Sequence, residues 1–303
     1  MHASEHVDAS EARILASLVS HRRKGHAKTL ALCEASFEVL PDLPDALRIG
    51  LFASPKTYSA YVRLSNASPL VQPDDVKDVR GLSIKLLHVP GEKIPESTEP
   101  RSQDFMLLSC PTLALGTAKL LRDSFRDSPT IFKTKMVVKG KWRRLKALSK
   151  PRIVPSSLLN MPFYSALPFA FGDAMAVKYV LRPTRTAPVP RVKPVLDDFL
   201  ATQAQAQLHC EDVTFDFAIQ VRRDTPEHPM PVEDASVRWS EVASPPVVVA
   251  RLTLPRQSFR TAERAVLADK MVFDAAHALP AHRPIGSLHR AGIAMYQAER
   301  RTS

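Results

Sequence analysis

Cysteine is scarce in this chain, and the three present, Cys33, Cys110 and Cys210, lie far apart. Their spacing gives neither a disulfide framework nor a zinc-ligand pattern. Buried free thiols are therefore expected at all three, as in a reducing compartment. No run approaches the roughly 18–20 apolar residues that a membrane-spanning helix needs. The opening "MHASEHVDAS" carries acids where a signal peptide would carry positive charge, which gives a cytoplasmic expectation. Metal motif, phosphate loop, hydrolase elbow, internal repeat and low-complexity tail are all missing.

What remains is an ordinary globular composition: 303 residues, 45% hydrophobic and 24% charged. That length buries a large core in one domain or two. The net charge of +11 favours an anionic contact such as nucleic acid, phospholipid, a heme propionate or a fatty-acid carboxylate. Helical periodicity marks 9–21, with Ser10 as a cap, and then 112–126, 131–148, 195–208, 257–271 and 287–299. Strand-like runs fall at 34–40, 60–66, 81–89, 103–109, 174–182, 212–222, 235–240 and 246–254. Residues 151–172 read as irregular, and 183–194 as a proline-rich loop. The class is α+β, and short strands joined by turns suggest an antiparallel β-barrel with flanking helices.

Residues 133–152 interleave Lys133, Lys135, Lys139, Lys141, Arg143, Arg144, Lys146, Lys150 and Arg152 with apolar side chains and Trp142. A solvated helical face over the barrel and peripheral contact with an anionic membrane both fit this pattern. Specific nucleic-acid binding is not expected.

Between Tyr61 and Pro111 the chain reads "YVRLSN", "DVRGLSIKLL" and "QDFMLLSCP". This order resembles the heme catalase superfamily, in which "RFS", "D.RG.A.K" and "D....N.P" follow one another. The stretch from Gly25 to Asn66 ("GHAKTLALCEASFEVLPDLPDALRIGLFASPKTYSAYVRLSN") is similar to its short, largely uncharacterised catalase-related branch. So are "FYSALPFAFGDAMAVKYVLRP", "PVEDASVRWSEVASPPVVVARLTLPRQ" and "FDAAHALPAHRPIGSLHRAGIAMY".

The resemblance implies one catalase-like domain over 1–303, with 1–25 as an N-terminal helical arm and 131–150 as a basic helical segment. It also implies one heme b inside that domain. His26 matches the distal histidine, which moves the peroxide proton. Arg23 and Arg63 match arginines that hold propionates, and Ser65 matches a serine that contacts the distal histidine. Arg80 is expected to be structural, paired with Asp78 or another acid.

Two positions depart from the family pattern. Ser109, or Leu108, stands where the family has a distal asparagine, and "TLAL" replaces paired phenylalanines, so Thr112–Leu115 form a different roof. On the proximal side, counting back from Gly286 puts His277 where the iron-ligating tyrosine would stand and Phe273 where its arginine would stand. An imidazole is a competent iron ligand. Tyr296 is a weaker candidate; His282 and His289 are expected at the surface, and a shift in the count would put either of them in the place of His277 as ligand.

The implied activity is heme-dependent oxidation of the peroxidase or catalase type, using hydrogen peroxide or an organic hydroperoxide. One alternative is rearrangement of a lipid hydroperoxide in the allene-oxide-synthase manner. The other is a heme carrier, a sensor or a heme-free pseudoenzyme. Catalase relatives commonly assemble, so the resemblance also implies a symmetric homo-oligomer.

Overall fold

The computed structural model describes residues 26–138, 152–186 and 197–302. The N-terminal arm with its expected helix at 9–21, Ser10 and Arg23 lie outside the described residues. So does 139–151 of the basic segment.

Among the described residues nine strands carry the fold: β1 (Thr29–Val39), β2 (Lys56–Asn66), β3 (Arg80–Leu86), β4 (Gln103–Leu108), β5 (Phe163–Tyr164), β6 (Phe169–Phe171), β7 (Met175–Pro183), β8 (Val213–Val221) and β9 (Val247–Leu254). They pair antiparallel in the order β5-β4-β3-β2-β1-β9-β8-β7-β6, and β5 also pairs with β7. That second pairing closes eight of the strands into a barrel, with β6 lying beyond β5 on the same edge of β7. Among the described residues five helices flank it: α1 (Ala118–Arg126), α2 (Pro129–Val138), α3 (Phe199–Cys210), α4 (Ala262–Lys270) and α5 (Ser287–Thr302).

Alternation decides which side chains enter the barrel. Phe37 on β1, Phe105 on β4, Tyr179 on β7 and Phe217 on β8 all point inward and are at most 1% exposed. Phe217 meets Phe105 at 4.9 Å, Phe37 at 5.1 Å and Tyr179 at 5.3 Å between ring centroids. Burial drives the Tyr179 hydroxyl far above its ordinary pKa. The barrel interior is therefore a packed aromatic core. Cutting Phe217 back to alanine should remove about 3–5 kcal/mol of stability, read from urea unfolding midpoints. A loss below about 1 kcal/mol would contradict this account of the core.

Several boundaries differ from the sequence reading for local reasons. The helix expected from 112 starts at Ala118, where the Thr117 hydroxyl accepts from the Leu120 N–H and caps it. Residues 235–240 form a turn instead of a strand. There Ala235 N–H donates to the Gly116 carbonyl, and Asp234 accepts from the Ser236 N–H and hydroxyl. Trp239 from that turn lies buried, with the Lys178 ammonium 4.9 Å from its ring centre. Cys33 and Cys110 are buried as expected, but Cys210, on the last turn of α3, is exposed. In α2, Phe132 and Met136 pack on Leu120 while Ile131, Val137 and Val138 face solvent. Among the described residues no helix is long and apolar enough to cross a membrane.

Candidate functional site on the outer barrel wall

The outward side chains of β2, β3 and β4 form three rows across the wall. Ser65, Gly81 and Leu108 share one register row, Arg63, Ser83 and Met106 the next, and Tyr61, Lys85 and Asp104 the third. The first two rows flank a cavity, and the third carries a buried ionic network.

His26 sits over the first row. Its Nδ1 is 2.8 Å from the Ser65 hydroxyl, and its backbone is in the left-handed region at φ 61°. Arg63 donates through Nη2 to the His26 carbonyl at 2.8 Å and through Nε to the Thr29 hydroxyl at 3.0 Å. Glycine at 81 is a steric necessity. A Cβ there would stand 2.6 Å from His26 Cε1 and 2.8 Å from the Ser65 hydroxyl. Burial, helped by the Arg63 charge and opposed by Asp78, lowers the His26 pKa to about 4. The ring is thus neutral at physiological pH.

A cavity of about 190 Å³, open to solvent on one side, adjoins this ring. The outer wall supplies Ser83, Met106 and Leu108, and Leu113 comes from the roof that the sequence singled out. Across it stand Asp274, Ala275 and the α5 residues Leu288, His289, Gly292 and Ile293. His289, expected at the surface, is only 8% exposed. Its Nδ1 lies 3.2 Å from the Ile285 carbonyl, and Phe169 packs on its ring at 4.6 Å. Burial lowers its pKa to about 4, against the pull of the Ile285 and Pro168 carbonyls. His282 is likewise buried. Its Nε2 accepts from the Leu51 N–H at 2.9 Å, between the rings of Phe52 and Phe171. Nothing in residue composition separates these two histidines from surface ones. The i, i+1, i+4, i+5 placement of Leu288, His289, Gly292 and Ile293 on one helix face is the signal that could have found His289.

His277 occupies the third row and is completely buried. Its Nδ1 is 2.9 Å from Asp104 Oδ2 and 3.2 Å from the Lys85 ammonium, and its Nε2 is 3.0 Å from the Thr98 hydroxyl. Lys85 also pairs with Asp104 at 3.0 Å and Glu99 at 2.6 Å. Phe273 stands 5.6 Å from the same ammonium. Burial raises the Asp104 pKa even though His277 and Lys85 both favour its charged form. The ring of His277 does not line the cavity. The link between network and cavity is Asp274, whose N–H donates to Asp104 Oδ2 at 3.0 Å.

Ser109 lies one residue beyond the first row, level with Arg80, whose carbonyl accepts from the Ser109 N–H at 2.8 Å. Its hydroxyl accepts from the Arg80 N–H at 2.9 Å, and its neighbour Leu108 lines the cavity. Arg80 is structural, as its sequence context suggests. It donates to Asn66 Oδ1 and to the carbonyls of Asp74, Val76 and Ile153, so carbonyls hold it more than a paired acid does. The Tyr296 side chain lies outside the described residues.

Solved catalases share this architecture. A fungal catalase superposes with a TM-score of 0.67 at 16% identity, covering 92% of this chain and 58% of that one. A bacterial catalase gives 0.66 at 14% identity, with 92% and 56% coverage. Catalase A from Saccharomyces cerevisiae gives 0.67 at 14% identity, with 92% and 60% coverage. The chain thus has a catalase-like fold and spans less than two thirds of the length of these catalases. No family model and no curated protein matches it.

The heme implied by the sequence resemblance can be tested against this lining. The walls are largely apolar, with Ser83, Ser165 and Asp274 among them, and two neutral imidazoles, His26 and His289, are in the lining. Among the described residues no group of three or more His, Cys, Asp or Glu side chains is placed to hold a bare metal ion. The donors on offer are single imidazoles, and in that chemistry the lining fits a metalloporphyrin.

Proposed function

We propose that the protein is a heme-dependent oxidoreductase of the catalase or peroxidase type, acting on hydrogen peroxide or an organic hydroperoxide. The observation that carries this reading is His26: a neutral imidazole backed by Ser65, seated on a glycine, at the edge of an apolar cavity outside a catalase-like barrel. Heme, when bound, supplies the electrons that cleave the O–O bond. The chain supplies the proton traffic. With Nδ1 engaged by Ser65, His26 Nε2 takes the proton from the hydroperoxide and returns it to the departing oxygen. A pKa of about 4 keeps the ring able to accept that proton at neutral pH. Arg63 contributes by fixing the His26 backbone. The cavity walls exclude water and shape the substrate choice.

The test is peroxide consumption by heme-loaded protein, wild type against His26→Gln. General acid–base catalysis of this kind is worth roughly 10²–10⁴ in rate, and a loss of that size is expected. Equal turnover in the variant would remove His26 from the reaction, and a wild type that takes up no heme would overturn the cofactor. The apolar lining from Met106, Leu108, Leu113, Leu167 and Ile293 favours a second reading, rearrangement of a lipid hydroperoxide. Its sign is fatty-acid hydroperoxide consumption without oxygen release. Tight heme binding with no turnover would favour the carrier.

A further inference from the structure

We propose that a flat, metal-bearing group in this cavity lies against helix α5, with Gly292 leaving room for its face and His289, instead of His277, supplying the imidazole on that side. This rests on the heme reading above.

Leu288, His289, Gly292 and Ile293 fall on one face of α5, and all four line the cavity. Gly292 is inside the helix, where glycine is disfavoured relative to alanine. Packing does not require it: a Cβ built there meets nothing within 4 Å. A helix-interior glycine that faces open space inside an apolar cavity leaves clearance for something flat.

His289 stands one turn away on the same face. Phe169 at 4.6 Å, the Ile285 carbonyl 3.2 Å from Nδ1, and the Pro168 carbonyl hold the ring, and what sets His289 apart from His277 is that it lines the cavity. With the proton on Nδ1, the lone pair is on Nε2, the arrangement of a metal-ligating imidazole oriented by a backbone carbonyl.

His277 is committed elsewhere. Asp104 and Thr98 engage its two ring nitrogens, and it does not line the cavity. Drawing it to a metal would break both bonds and strip Asp104 of a partner in a fully buried site.

The experiment loads the full chain with heme and records the Soret band, the electron paramagnetic resonance spectrum and the heme dissociation constant. Wild type is compared with His289→Gln, His277→Gln and Gly292→Leu. The expected result is a shifted band and at least tenfold weaker binding in His289→Gln, with added imidazole restoring the wild-type band. Gly292→Leu should weaken heme binding at least tenfold with an unchanged melting temperature of the heme-free protein. His277→Gln should keep the wild-type spectrum. An unchanged band in His289→Gln, or a band that moves in His277→Gln instead, overturns the assignment while leaving the heme reading intact. No Soret band in the wild type overturns both.

Discussion

Replacing Lys85 with methionine should cost about 3–5 kcal/mol of folding stability, the usual result of breaking a buried ion pair from one side. Lys85 is 2% exposed and Asp104 not at all, at 3.0 Å from each other. Without the ammonium, the Asp104 carboxylate keeps His277 and the Asp274 N–H but loses the cation that offsets its desolvation. Glu99 is affected differently. Partial burial works against its charge, but the hydrogen bond and charge of Lys85 hold its carboxyl below the usual range. Its side chain is 36% exposed, so water replaces the lost partner, and Glu99→Gln should cost under about 1 kcal/mol. Pairing Lys85→Met with Asp104→Leu should recover much of the loss, because the stranded charge goes too. Urea midpoints for the three variants decide the matter. A Lys85→Met protein as stable as wild type, or a double variant worse than the single, would show that the network contributes no buried charge compensation.

Acid should unfold this protein well before its carboxylates titrate. His282 and His289 are held neutral, each with a folded pKa of about 4 against an ordinary 6.5, because burial penalises their charged forms. Above about pH 6.5 both are neutral in folded and unfolded chains alike, and their contribution is complete. Below that, the unfolded chain takes up a proton at each of these two positions, and a third at His26, that the native state refuses, and stability falls until pH reaches about 4. Each group is worth up to about 1.4 kcal/mol per pH unit, so the pair removes on the order of 5 kcal/mol across the window. That is a large share of the roughly 5–15 kcal/mol that holds a domain together. Unfolding midpoints at pH 7, 6, 5 and 4.5 should decline steeply. His282→Gln with His289→Gln should flatten the slope, since glutamine can still accept from the Leu51 N–H but does not titrate. A wild type equally stable at pH 7 and pH 5 would refute the argument.

The barrel was legible because its strands obey alternation: Phe37, Phe105, Tyr179 and Phe217 each sit at the phase that buries them. The same periodicity misplaced 235–240, where Ala235 and Trp239 are buried at strand-like spacing although Asp234 and Gly116 bend the backbone into a turn. At the site, motif spacing brought His26, Arg63 and Ser65 together, since a strand register fixes which residues are neighbours. Spacing could not say that His277 would turn into the Lys85–Asp104 row, because both partners come from strands more than 170 residues away. Nor could it show that His282 and His289 are covered. Their cover, Phe52, Phe169 and Phe171, belongs to distant segments whose approach is decided by tertiary packing.

The barrel closes through β5, which is two residues long and meets β4 at a single register pair, Leu108 with Tyr164. Beside long joins such as β1 with β2, this seam is held by very few ladder bonds. Amide exchange around Phe163 and Tyr164 is therefore expected to run far ahead of exchange in β1 and β2. The seam also borders the cavity, which Leu108, Ser165 and Leu167 line. Local opening at this short stitch is therefore expected to cost less free energy than global unfolding, and it would expose the part of the cavity wall that β4 and the segment after β5 supply.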